Sequence, residues 1–262
     1  MARSHSLLLA IAIALPLAAQ TSKEVTTTVL VPVVGTVTGA GNVIWKTDVE
    51  LLNDTRQEVD VALSLPTAGD AAIFVTMAPN SVQRFGDVVG EAFGLETAMS
   101  PLMITTRGRR SVRVNATVYG MVGGTMTQPE PIALTDGNTW YPIRTLRGLT
   151  FSDDFRTNIG LVNLGEKDAN FTLALQRVAG RNLAISRVTV KAGTLWHLSI
   201  QSLFPLITKG DDFNLVVETR DRDTYVYASV IDNATNEARF IQPMFGAPTE
   251  SSAQEVATTA NH

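Results

Sequence analysis

The chain contains no cysteine. That excludes a disulfide framework, a thiolate nucleophile or metal site, and a lipidated-cysteine anchor. Histidine is nearly absent too. His5 lies in the N-terminal apolar segment and His262 is the last residue, so only His197 remains within the body of the chain. A Ser-His-Asp or Cys-His arrangement would have to use it. In "TLWHLSI" the alternation puts His197 on one face with Leu195 and Ser199, and Trp196, Leu198 and Ile200 on the other, which predicts a surface or rim histidine. Excess positive charge is also missing: 21 Lys and Arg stand against 25 Asp and Glu. Neither half is basic, so the electrostatic footprint of a nucleic-acid binder is absent and no nucleic-acid partner is expected.

Long apolar runs are lacking. The one candidate, Leu7 to Ala19, is broken by Pro16 and falls short of the roughly 20 residues a membrane-spanning helix needs. With Arg3 before it and small residues at its end, it reads as a secretory signal peptide over residues 1–19, cut after Ala19. The mature chain then has no membrane span, and its expected address is secreted, periplasmic or cell surface. Export without cysteine suits a bacterial protein.

What the chain does contain is a repeat. Residues 45–53 read "WKTDVELLN" and residues 155–163 read "FRTNIGLVN". Three further pairs of blocks follow in the same order: 58–66 with 169–178, 74–94 with 187–205, and 101–132 with 213–244. The expected organisation is therefore one β-sandwich repeat over 22–134 and a second over 135–245. Pro and Gly in "PEPIALTDGNT" (129–139) mark the boundary. The polar tail 246–262 is expected to be disordered.

Within each copy the apolar period is two. Trp45, Val49 and Leu51 share a face, as do Phe155, Ile159 and Leu161; Val59, Val61, Leu63 and Leu65 alternate likewise. Side chains on a strand point alternately to opposite faces, so these runs are half-buried strands. Asn53 and Asn163 end the matched strand where the chain turns. The fold class is all-β: two tandem antiparallel β-sandwich domains related by internal duplication. Short helical turns are expected only at "DVVGEAFG" (87–94) and "IQSLFP" (200–205). A strand ending in Asn, a polar turn, an alternating strand, a "PN" or "AG" turn and a last hairpin resemble the immunoglobulin-like repeats of bacterial secreted and surface proteins. The resemblance covers both copies and implies an adhesion or spacer module. Neither copy carries the Cys…Trp…Cys signature of antibody domains.

Candidate binding residues follow from position. "RGRRSVR" (107–113) places Arg107, Arg109 and Arg110 on the tip of a hairpin, with Arg113 on its outer strand face. Clustered guanidinium groups can hold carboxylate or sulfate bidentately, although a solvated hairpin tip is the plainer reading. The outward residues of the repeated strand, Lys46 and Asp48 in one copy and Arg156 and Asn158 in the other, form a matched set. Trp140, Tyr141 and Trp196 are the other aromatics weighed as sugar-stacking surfaces. No cofactor is expected. Calcium is the one ion left open, at Asp153–Asp154, Asp211–Asp212 or Asp221 and Asp223, but no acid run has the spacing of a calcium loop and Asp is a common turn-former. Residues 23–37 form a long β-prone run that could pair with its own sandwich or with a second copy; self-pairing is preferred, because domains close their own edges.

These features predict a non-enzyme: an exported binding or structural module of adhesion or assembly type, with a protein or glycan partner outside the cytoplasm. The first alternative is a carbohydrate-binding module. A polysaccharide hydrolase using Asp/Glu pairs is the more distant one.

Overall fold

The computed structural model describes residues 26–107, 112–136, 141–177 and 180–245. The segment expected to be a signal peptide, the C-terminal tail, Arg109, Arg110 and Trp140 lie outside the described residues. The protein is all-β with antiparallel sheets. Its first half contains β1 (Thr26–Thr38), β2 (Ile44–Asn53), β3 (Val59–Leu65), β4 (Ala71–Met77), β5 (Ser81–Phe85), β6 (Ala98–Arg107), β7 (Arg113–Val122) and the short β8 (Thr125–Met126), β9 (Glu130–Pro131) and β10 (Thr135–Asp136). Its second half contains β11 (Ile143–Phe151), β12 (Phe155–Asn163), β13 (Ala169–Gln176), β14 (Asn182–Val190), β15 (Thr194–Ser199), a helical turn α1 (Ile200–Leu203), β16 (Gly210–Glu218), β17 (Thr224–Asp232), β18 (Ala238–Ile241) and β19 (Met244–Phe245).

Strand order in the two halves corresponds. One sheet of the first half runs β4-β3-β6-β1 with β10 beside β1, and the other sets β2 between β5 and β7. The second half runs β14-β13-β16-β11-β19 and β15-β12-β17-β18. Numbered by order within each half, second pairs fifth, and third pairs both fourth and sixth. The first strand lies beside the sixth, and the seventh beside the second. In the first half the length of β1 permits this. It follows β6 from Thr26, shifts register between Val31 and Val34, and reaches β2 only at Val37 and Thr38. Pro32, which has no N–H to give a ladder, stands at the shift. The run 23–37 is thus, from Thr26 onward, an inner strand paired within its own half.

Each half buries its own core between its two sheets. Val49, Leu51, Val61, Leu63, Leu102 and Ile104 meet in the first, and Leu146, Ile159, Leu161, Phe171, Leu173 and Leu215 in the second. Leu51 and Leu63 are fully buried, each contributing roughly 1.5–3 kcal/mol relative to exposure. Leu161 and Leu173 are their counterparts. Trp45 corrects the sequence reading. It is not part of this core; it sits at the outer end of β2, with its indole so close over Gly39 that a Cβ there would stand 2.6 Å from Nε1. Phe155, its counterpart, does pack against the second core.

The strand-ending asparagines are buried and do the same work twice. Asn53 donates through Nδ2 to the carbonyls of Gln57 (2.8 Å) and Ala78 (2.9 Å), while its Oδ1 accepts from the Thr55 amide (3.1 Å). Asn163 donates to the carbonyls of Lys167 (2.8 Å) and Val190 (3.1 Å) and accepts from the Gly165 amide (2.9 Å). A short helical turn follows the fifth strand of each half. Val88–Ala92 is capped by Asp87 and Ile200–Leu203 by Ser199. Val88 and Ile200 plug their respective cores. The boundary segment is less of a linker than its Pro and Gly content suggests. Ile132 is buried, its amide donates to the Ala116 carbonyl at 2.8 Å, and β10 pairs with β1.

Candidate functional site

The outer face of the second-half sheet β15-β12-β17 is the best-formed candidate. At its centre Gly160 stands between His197 on β15 and Tyr227 on β17. With no side chain on Gly160, the Tyr227 ring lies flat on the sheet: a Cβ at position 160 would be 2.0 Å from Tyr227 Cε1. The Tyr227 hydroxyl lies 3.0 Å from His197 Nδ1, and its ring stacks on Phe240 with centroids 5.6 Å apart.

The first half covers this face, and a cleft of about 370 Å³ remains between the two. Val37, Gly39 and Trp45 line it from one side, and Arg156, Asn158 and Ser229 from the other. Phe240 belongs to both halves in effect. It sits on β18, packs against the first core, and its amide donates to Glu130 Oε1 at 2.9 Å. Burial drives the site's titration. It pushes His197 down to about 4, so the imidazole is neutral at neutral pH, and it pushes the Tyr227 hydroxyl far above its ordinary range. His197 is half-buried and lines the cleft, so it stands at the rim of a covered face rather than of an open one. The face assignment holds, since Trp196 and Leu198 pack against the core, but the outer face itself is covered.

The same face of the first half carries different chemistry. Register places Glu50 where the second half has Gly160, with Arg84 across from it on β5 and Asn115 on β7. Arg84 pairs with Glu50, its Nε donating to Oε2 at 3.1 Å. Hydrogen bonding from Arg84 holds the Glu50 carboxyl below its usual range. Asp48 lies beside them and is shifted upward, burial outweighing the attraction of Arg84. Together with Thr117, Pro131 and Leu134 these residues line an open groove. One half thus presents a charged groove where the other has a covered aromatic floor.

The matched outward residues go three ways. Arg156 and Asn158 line the cleft, and Arg156 is steadied by Asn233 Oδ1 (2.8 Å) and Asn236 Oδ1 (3.1 Å). Asp48 lines the groove. Lys46 lines neither; its ammonium lies 2.9 Å from Asp87 Oδ2. Asp87 in turn accepts from the Thr36 hydroxyl and from the Gly90 amide at 3.1 Å. Burial would raise this carboxyl, but those hydrogen bonds and Lys46 outweigh it and hold it low.

The arginine run is dispersed as far as it is described. Arg107 is exposed at the end of β6, and Arg113, on the outer face of β7, is paired with Asp54 at 2.7 Å. Arg109 and Arg110 lie outside the described residues. The acids weighed as calcium ligands serve local backbone structure. Asp211 and Asp212 stand in β16 at a register shift, Asp212 and Asp223 adopt left-handed φ (55° and 56°), and Asp221 Oδ2 accepts the Asn170 amide at 2.8 Å. The Asp153 and Asp154 carbonyls accept from Asn233. Of the other aromatics, Tyr141 stacks on Phe245 with centroids 4.2 Å apart. Gly160 and Tyr227 escaped sequence reasoning. The signal that could have found them is the change from Glu50 to Gly160 within an otherwise matched nonamer.

No protein-family model matches the sequence, and no curated protein matches it.

Proposed function

We propose that the chain is an exported, non-catalytic binding module of the cell surface or extracellular space. In this reading it is built as two tandem copies of one immunoglobulin-like sandwich and takes its ligand in the cleft between them. The observation that carries this is the composition of the cleft: both halves line it, and it joins the Trp45 indole to Arg156, Asn158 and Ser229 around one concavity. Its volume falls at the small end of ligand pockets, which favour junctions between structural units and combine an apolar lining with a few placed polar groups. The non-catalytic part of the reading is supported by the single internal imidazole being held neutral and committed to the Tyr227 hydroxyl.

An aromatic surface beside planar amide and guanidinium groups favours a glycan as ligand, because sugar rings offer C–H faces for stacking and hydroxyls for bidentate hydrogen bonds. The test is a glycan array probed with the full chain, followed by calorimetric titration of any hit. Trp45→Ala and Arg156→Ala should each abolish the hit while leaving the fold intact. Binding that survives both substitutions, or a blank array, sinks the glycan reading. An assembly role has its own support. The outer strands β4 and β14 each pair with a single neighbour and display Phe74 and Ile185, which are 80% and 53% exposed, and such edges invite strand addition. Concentration-dependent oligomers lost on Phe74→Lys and Ile185→Lys would favour it; a monomer at all concentrations would remove it.

A further inference from the structure

The second half holds a buried cation that no carboxylate among the described residues pairs with. Arg144 stands on β11 between Val217 of β16 and Phe245 of β19. In the first half the corresponding place on β1, opposite Ile104 of β6 and Asp136 of β10, is occupied by Val29. A position that is aliphatic in one half is a guanidinium in the other. Arg144 is 3% exposed. Its Nε donates to the Tyr141 carbonyl at 2.9 Å and its Nη2 to Thr224 Oγ1 at 3.0 Å. Nη1 is buried and has no hydrogen-bond partner. Among the described residues no carboxylate forms an ion pair with it. Burial pulls this group down to about 10, against a small opposing effect of Tyr225, and it stays protonated at neutral pH.

A cavity of about 70 Å³ opens beside Arg144. Pro32 and Leu134 wall it from the first half, and Tyr225, Phe240 and Phe245 from the second. A water needs roughly 10–15 Å³ of cavity space, so the space admits species of water or halide size. Water beside the guanidinium would supply no counter-charge, and the rest of the lining, Thr135, Thr224, Tyr225 and Gln242 included, offers only neutral groups. An unpaired buried charge costs far more than an unpaired amide.

We propose that this cavity is a binding site for a small monovalent anion of chloride size, held beside the buried Arg144 guanidinium at the seam between the two halves. The anion supplies the missing counter-charge and, because both halves wall the site, ties their association to its occupancy. The site is distinct from the cleft, although Phe240 borders both.

The experiment uses the full chain at constant ionic strength, with sodium gluconate exchanged for sodium chloride. The ³⁵Cl resonance should broaden saturably in the presence of the protein, bromide should reverse the broadening, and Tm should rise with chloride as expected when a ligand binds only the folded state. Arg144→Met keeps the length of the side chain without its charge; it should retain the fold by circular dichroism and lose both effects. Leu134→Trp, which fills the cavity and leaves Arg144 in place, should lose the broadening as well, so the proposal stays testable if the first variant does not fold. No chloride dependence in the wild type, the result a water-filled cavity gives, overturns the proposal. So does broadening that persists unchanged in either folded variant.

Discussion

Tyr227 lies in the space that a side chain at Gly160 would need, with its Cε1 2.0 Å from where a Cβ would stand. The first half has Glu50 and Asn115 at the matching places. The absence of a single side chain therefore turns a polar sheet surface into a floor for an aromatic ring. Gly160→Ala should push Tyr227 off the sheet and open the seam. Overpacking of this kind costs about 1–3 kcal/mol or more. Gly35→Ala, whose new Cβ would come no closer than 3.4 Å to the Ala98 carbonyl, is the control and should cost less. Urea unfolding of the two variants checks the contrast, and equal midpoints would contradict it.

His197 makes stability depend on pH in a defined window. Its folded pKa is depressed to about 4 by burial, from an ordinary 6.5. Between those values the unfolded chain takes up a proton that the folded chain refuses, so stability falls as the pH drops from 6.5 toward 4 and is fully present above 6.5. The contribution is on the order of 3 kcal/mol. His197→Gln should flatten this part of the profile, as measured by denaturant midpoints at pH 4.5 and 7.5. A wild-type profile already flat across that range would remove the argument.

Asp87 acts in the same direction but in a lower pH window. Its folded pKa lies below the ordinary 3.8 because hydrogen bonds from Thr36, Lys46 and Gly90 outweigh burial. Its contribution is present above the unfolded pKa and is lost as pH falls through the folded one. Asp87→Asn should cost about 1–3 kcal/mol at pH 7. Its gap from wild type should narrow below pH 4 in the same unfolding assay. Lys46→Met should cost less, because the ammonium end is partly solvated.

The two buried asparagines are expected to be equivalent. Asn53→Ala and Asn163→Ala each strip the hydrogen bonds from several buried backbone groups at a strand end. Each should cost about 2–3 kcal/mol, and two sites so far apart should add in the double variant. Asn→Asp is expected to do no better than Ala, because it replaces the Nδ2 donor with an acceptor facing carbonyls. Chemical denaturation of the single and double variants decides it; a large loss at one site alone would mean that the two halves do not use the corner alike.

Much of the architecture was legible because strand burial is a local, alternating property. Val59, Val61, Leu63 and Leu65 announced themselves by spacing, and all four are buried. Asn53 and Asn163 could be placed at strand ends from the repeat, and the helical turns after β5 and β15 from their short patterns. Trp45 misled for a physical reason: it keeps the inward parity of β2, but its indole lies over Gly39 and lines the cleft instead of joining the core.

The sequence by itself determined the all-β class, the inward and outward parity of each strand and the matched blocks of the two halves, because each depends on residues within one stretch of chain. Only the tertiary structure decided what the outward faces meet. That Arg156 and Asn158 open onto a cleft while Asp48 lines a groove, that His197 is covered rather than exposed, and that Arg144 is buried where its counterpart is Val29 all depend on how one half lies against the other. Those contacts join residues far apart in the chain through surfaces on which no local period is imposed. An outward residue reads the same in sequence whether water or another sheet stands in front of it.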